Sequence, residues 1–139
     1  MKNTTALILF LLLFSPLAQA KECGLQDAEA ADMAVDTLNS WSAVKENFIR
    51  YGHCDSGSIA EGNSEVISRL LVDNWNELPQ LNNLVSHNAA FRSYILKHID
   101  STLDTQDLDK IIRLSRSSCA QANEELCAAI QRAATQAEK

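Results

Sequence analysis

The stretch Ser58-Ile59-Ala60-Glu61-Gly62-Asn63-Ser64-Glu65-Val66-Ile67-Ser68-Arg69-Leu70-Leu71 sets the fold class. Ile59, Val66, Ile67, Leu70 and Leu71 recur at helical spacing, so they fall on one inward face. Ser58 followed by Glu61 reads as a capping box. The hydroxyl takes an orphan backbone N–H and the Glu reaches back to the start of the helix. The spacing predicts a helix from Ser58 to about Asn74. Gly62 costs about 1 kcal/mol relative to Ala inside a helix, so its presence points to close packing there.

The same pattern repeats on both sides. Ala28, Ala31, Val35 and Leu38 predict a helix over about Asp27 to Leu38. Val44, Phe48 and Tyr51 predict another over about Ser42 to Tyr51, followed by a loop from Gly52 to Gly57. Downstream, a short helix starts around Leu78-Pro79, where proline is tolerated in the first turn, and ends near Ser86. Asn88 to Ile99 is the next, with Phe91, Ile95 and Leu96 inward. Asp104 caps one carrying Leu108, Ile111, Ile112 and Ser115, and Gln121 or Asn123 starts the last, with Leu126, Ala129, Ile130 and Ala133 packed. Only two prolines and four glycines interrupt 139 residues, and no segment alternates as a strand does. The expected fold is all-α: a compact bundle of about six to seven short helices.

Residues 1–20 read as a cleavable signal peptide. Lys2 is followed by an apolar run from Leu7 to Phe14, then Pro16, then the small-x-small site Ala18-Gln19-Ala20. That run is shorter than the ~20 residues a membrane span needs. Residues 21–139 then form a single domain, large enough to bury a core. Lys2 falls in the leader, which leaves 11 basic residues against 18 acidic ones. Such an acidic surface argues against nucleic acid or an anionic membrane as partner and suits a basic one.

Cys23, Cys54, Cys119 and Cys127 all lie beyond the leader. Export and an even count imply two disulfides. Three pairings are possible, and proximity favours Cys23–Cys54 with Cys119–Cys127. Each of these pairs has a structural consequence. A straight helix from 25 to 51 would be ~40 Å long and would hold Cys23 and Cys54 far apart. A disulfide allows only ~7 Å between Cα atoms, so this pairing requires a turn near Asn39-Ser40-Trp41. Eight residues of continuous helix would likewise separate Cys119 from Cys127 by ~12 Å, so the chain must bend between them. A zinc site is disfavoured, because there is no C-x-x-C pair and the histidines are scattered. No metal or cofactor is expected.

The sequence carries no H-E-x-x-H, no G-x-S-x-G, no phosphate-binding glycine loop and no EF-hand loop. His53 beside Cys54 reads as structural, since adjacent side chains rarely aim at one another. His87 and His98 lack a carboxylate at a diagnostic spacing and read as solvated or interface residues. Trp41 and Trp75, near helix ends, read as core, with an interface anchor as the other possibility. Asp100, Asp104, Asp107 and Asp109 lack the alternate ligands and glycine turn of a metal loop. They read as a solvated loop and helix N-terminus, or else as a protein-binding loop. No enzymatic activity is expected. A small exported helical ligand-binding or carrier protein is the alternative class, and it would require an apolar cavity.

Two segments resemble a known family. Cys54-Asp55-Ser56-Gly57-Ser58-Ile59-Ala60-Glu61-Gly62 with Ser68-Arg69-Leu70-Leu71 is one. The other is Leu96-Lys97-His98-Ile99-Asp100-Ser101-Thr102-Leu103-Asp104. Together they resemble the type VI secretion amidase immunity proteins over most of residues 21–139, the C-terminal cysteine pair included. The resemblance implies a periplasmic homodimer that binds a papain-like peptidoglycan amidase and plugs its cleft with a loop. The expected effector-binding loop is Asp100, Ser101, Thr102, Leu103 and Asp104. The exposed side of the helix begun by Ser58 is the second choice.

Overall fold

A computed structural model describes residues 20–139; the signal peptide reading lies almost wholly outside the described residues. Seven α-helices make up the described chain: α1 (Leu25–Val35), α2 (Trp41–Tyr51), α3 (Gly57–Asp73), α4 (Leu78–Ser86), α5 (Ala89–Lys97), α6 (Thr105–Ser117) and α7 (Glu124–Ala137). Short 3-10 turns precede α3, α4 and α7, and no strand occurs among the described residues. None of the described helices is long and apolar enough to cross a membrane.

Side-chain caps start several helices. Ser40 accepts from the Ala43 N–H, Asn88 from the Phe91 N–H at 2.9 Å, and Asp104 from the Gln106 N–H at 2.8 Å. Each supplies an acceptor to a backbone donor that the helix itself leaves unpaired. α3 departs from its expected start. Ser56 occupies the cap position without a side-chain cap bond, and Ser58 lies inside the first turn. Gly57, at φ +55°, lets the chain reverse into α3 ahead of Ser58, so the anticipated capping box does not form.

The two disulfides are Cys23–Cys54, with Cα atoms 5.0 Å apart, and Cys119–Cys127, with Cα atoms 6.3 Å apart. Both required bends are present. The chain turns between α1 and α2 around Asn39-Ser40, and a 3-10 turn at Gln121–Asn123 separates α6 from α7. α6 and α7 pack side by side, α1 lies on α3, and α4 lies on α5. The α1–α3 contact is tight at Gly62, where an added Cβ would sit 2.8 Å from Val35 Cγ1. That is the close approach anticipated for this glycine.

The core is continuous from Trp41 and Val44 through Ile67, Leu71 and Leu81 to Phe91, Ile95, Ile111 and Ile130. Phe48 sits against Phe91 and Tyr94, with ring centroids 5.4 Å and 4.9 Å away. Trp41 is buried and Trp75 donates its indole N–H to the Ser118 carbonyl at 2.8 Å, so both tryptophans serve packing within the fold. Two disulfides closing an all-helical bundle place the protein in an oxidising, extracytoplasmic environment.

Candidate functional site

The loop from α5 to α6 is tied down at both ends. The Asp100 carboxylate folds back on its own loop: Oδ1 accepts from the Thr102 backbone N–H at 2.8 Å and from the Thr102 hydroxyl at 2.6 Å. The Leu103 N–H closes the turn on the Asp100 carbonyl. Asp104 then caps α6. Between these anchors Ser101 and Thr102 are exposed, as is Asp104. Leu103 is not: it is 6 % exposed and belongs to the hydrophobic core. The expectation that Leu103 contacts a partner is therefore corrected. An apolar side chain flanked by Thr102 and the Asp104 cap turns inward, where burial stabilises it. Asp100 is half-buried and does more to shape the loop than to project from it. Beside the loop, a groove of about 320 Å³ opens between the end of α5 and the end of α7, lined by Lys97, Asp100, Ser101 and Gln136 among others.

Beneath the loop lies a polar network centred on buried Ser64 and His98. Ser64 Oγ, on α3, is 2.8 Å from His98 Nδ1 and donates to Asp100 Oδ2 at 3.0 Å. His98 Nε2 faces Asp55 Oδ2 at 3.0 Å. Lys97 also pairs with Asp55 Oδ2, and Asn63 donates to Asp55 Oδ1 at 3.0 Å. Tyr94 meets the imidazole edge-on, centroids 4.5 Å apart. Ser64 and His98 are each 1 % exposed. One turn along α3, Ser68 donates to Asp107 of α6. The reading of His98 as a solvated or interface residue is thus corrected. It is fully buried; its carboxylate partner Asp55 lies 43 residues upstream, and Ser64 links it to Asp100. His87 is exposed, and His53 pairs with Asp27 at 2.8 Å beside the Cys23–Cys54 bridge.

The electrostatics follow from these contacts. Burial pushes the Asp55 carboxyl up, but hydrogen bonds from His98, Lys97 and Asn63 outweigh it and hold the group well below the usual carboxylate range. Burial also pushes Asp100 up, against hydrogen bonds from Thr102 and Ser64 and the charge of His98, and the balance is again downward. Both carboxylates stay ionised at neutral pH.

Hydroxyl, imidazole and carboxylate here stand in a row, as in a serine hydrolase. In that chemistry, however, the serine bonds Nε2 and the carboxylate orients Nδ1, with the hydroxyl open to substrate. Here the ring is reversed and Ser64 is closed off. The row holds three segments together. Sequence reasoning missed Asn63, Ser64 and Ser68 because the inward face of α3 was read from its apolar residues alone. The i, i+4 serines beside Val66 and Ile67 were the available signal.

Other depressions lie at the surface. A groove of about 470 Å³ runs between α6 and α7 past Arg116, Glu124 and the Cys119–Cys127 bridge, and a smaller one lies between α1 and α2. Neither is the internal apolar cavity a carrier would need. Comparison with protein-family models, with curated proteins and with solved structures found no match.

Proposed function

We propose that this protein is a periplasmic immunity protein that binds a type VI secretion peptidoglycan amidase and blocks its cleft with the α5–α6 loop. The observation that carries the reading is the construction of that loop. Ser101 and Thr102 project between a carboxylate-closed turn and a buried Leu103 anchor, over a network that fixes Asp100 to α3. A segment already held in its bound shape loses little entropy on binding, which is what a cleft inhibitor needs. The resemblance of residues 54–71 and 96–104 to amidase immunity proteins supports the same reading, as do the two disulfides and the acidic surface. On this reading the protein acts stoichiometrically, has no turnover of its own, and works as a homodimer.

The test is digestion of peptidoglycan by the amidase encoded beside this chain, with and without the purified protein. Digestion should stop at a one-to-one ratio of chains. Undiminished digestion at excess protein would reject the reading. Light scattering at micromolar concentration should give the mass of two chains.

A further inference from the structure

The hydrogen bonds around His98 constrain the protons its ring can carry if every contact is kept. Asp55 Oδ2 and Asp100 Oδ2 belong to ionised carboxylates and can only accept. Ser64 has one hydroxyl proton, and Asp100 Oδ2 at 3.0 Å takes it. The Ser64 oxygen, 2.8 Å from His98 Nδ1, must then accept from an Nδ1–H. On the other edge, Nε2 at 3.0 Å from Asp55 Oδ2 must also carry hydrogen. All three contacts coexist only when the ring is doubly protonated. The charge balance favours this state: Lys97 is one cation beside two carboxylates, Asp55 and Asp100, and a doubly protonated ring supplies the second. The remaining neighbours are Asn63, which donates to Asp55, and Tyr94, whose hydroxyl burial keeps protonated. Asp107 of α6 is engaged by Ser68, one turn away along α3.

We propose that His98 is a buried proton switch for the Asp100–Asp104 loop: doubly protonated, it ties the loop to α3 through Ser64, and loss of its Nδ1 proton unties it. The proton leaves to solvent hydroxide. The freed Nδ1 lone pair then accepts the Ser64 hydroxyl, which turns away from Asp100 Oδ2. Nε2–H stays on Asp55. Asp100 keeps only Thr102 and loses its anchor on α3. The switch stands on the geometry of the network; only its effect on amidase binding rests on the function proposed above.

Nitrogen-resolved NMR on the disulfide-intact protein tests it. At pH 7 both His98 ring nitrogens should be protonated. As pH rises, the Thr102 amide, which donates to Asp100 Oδ1, should shift with the same midpoint as the His98 ring. In Ser64→Ala the Thr102 amide should no longer follow it. An unprotonated ring nitrogen at pH 7 overturns the proposal. So does a Thr102 amide that ignores His98, or a ring that keeps both protons until the protein unfolds. Affinity for the amidase should fall by roughly tenfold across the same midpoint, the loss expected for one hydrogen bond to a charged group. Constant affinity while the Thr102 amide moves would uphold the switch and reject the loop as the amidase contact.

Discussion

His98 Nε2 and Asp55 Oδ2 stand 3.0 Å apart with their side chains 1 % and 3 % exposed, joining the end of α5 to the residue after Cys54. A hydrogen-bonded pair this deep contributes little net stability against an apolar substitute, because desolvation of the Asp55 carboxylate offsets most of the attraction. Its importance is that neither partner tolerates loss of the other.

His98→Ala should therefore destabilise the protein by about 3 kcal/mol, the cost typical of removing one member of a buried pair. Urea denaturation followed by circular dichroism measures this. A loss under about 1 kcal/mol would mean that Lys97 and Asn63 alone satisfy Asp55.

Stability should also fall in acid. The folded carboxyls of Asp55 and Asp100 lie below the ordinary value of 3.8. Their contribution is complete above that value and is lost as pH drops through the folded ones. Melting temperature should decline below about pH 4, as these carboxyls take up protons. Asp55→Asn should flatten that decline.

Gly62→Ala should cost stability although alanine is the better helix former. The added methyl meets Val35 at 2.8 Å. Overpacking costs about 1–3 kcal/mol against about 1 kcal/mol of regained propensity, for a net loss of about 1 kcal/mol. Combining it with Val35→Ala should cost less than the sum of the single changes, since the two share one contact.

Alkylation without reductant should find no free thiol, because all four cysteines are paired. Replacing Cys119 and Cys127 together by serine should cost about 2.5 kcal/mol, and the Cys23–Cys54 pair about 3.5 kcal/mol, since the longer loop restrains more of the unfolded chain.

On the proposed function, Ser101→Trp should weaken amidase binding at least tenfold and leave the melting temperature within about 2 °C, since exposed substitutions away from packing change stability little. Thr102 is the poorer probe, because its hydroxyl closes the turn on Asp100. Unchanged affinity in Ser101→Trp would move the contact to the exposed side of α3.

Local chemistry made much of the architecture legible from the sequence alone. Apolar spacing located the helices, and Asp104 announced its cap because a cap acts over two or three residues. The cysteine pairs dictated where helices must break, because helix rise and disulfide reach are both constants. Gly62 signalled close contact through its cost inside a helix. The partners of Ser64 and His98 were decided only by the tertiary structure. Asp55 and His98 are 43 residues apart, and Ser64 and His98 are 34 apart. A buried serine and a solvated one look alike in a helical sequence until the packing of α3 against its neighbours settles which face is closed. Leu103 shows the same division. It was expected in the effector-binding loop with its polar neighbours, and the turn closed by Asp100 sets it in the core.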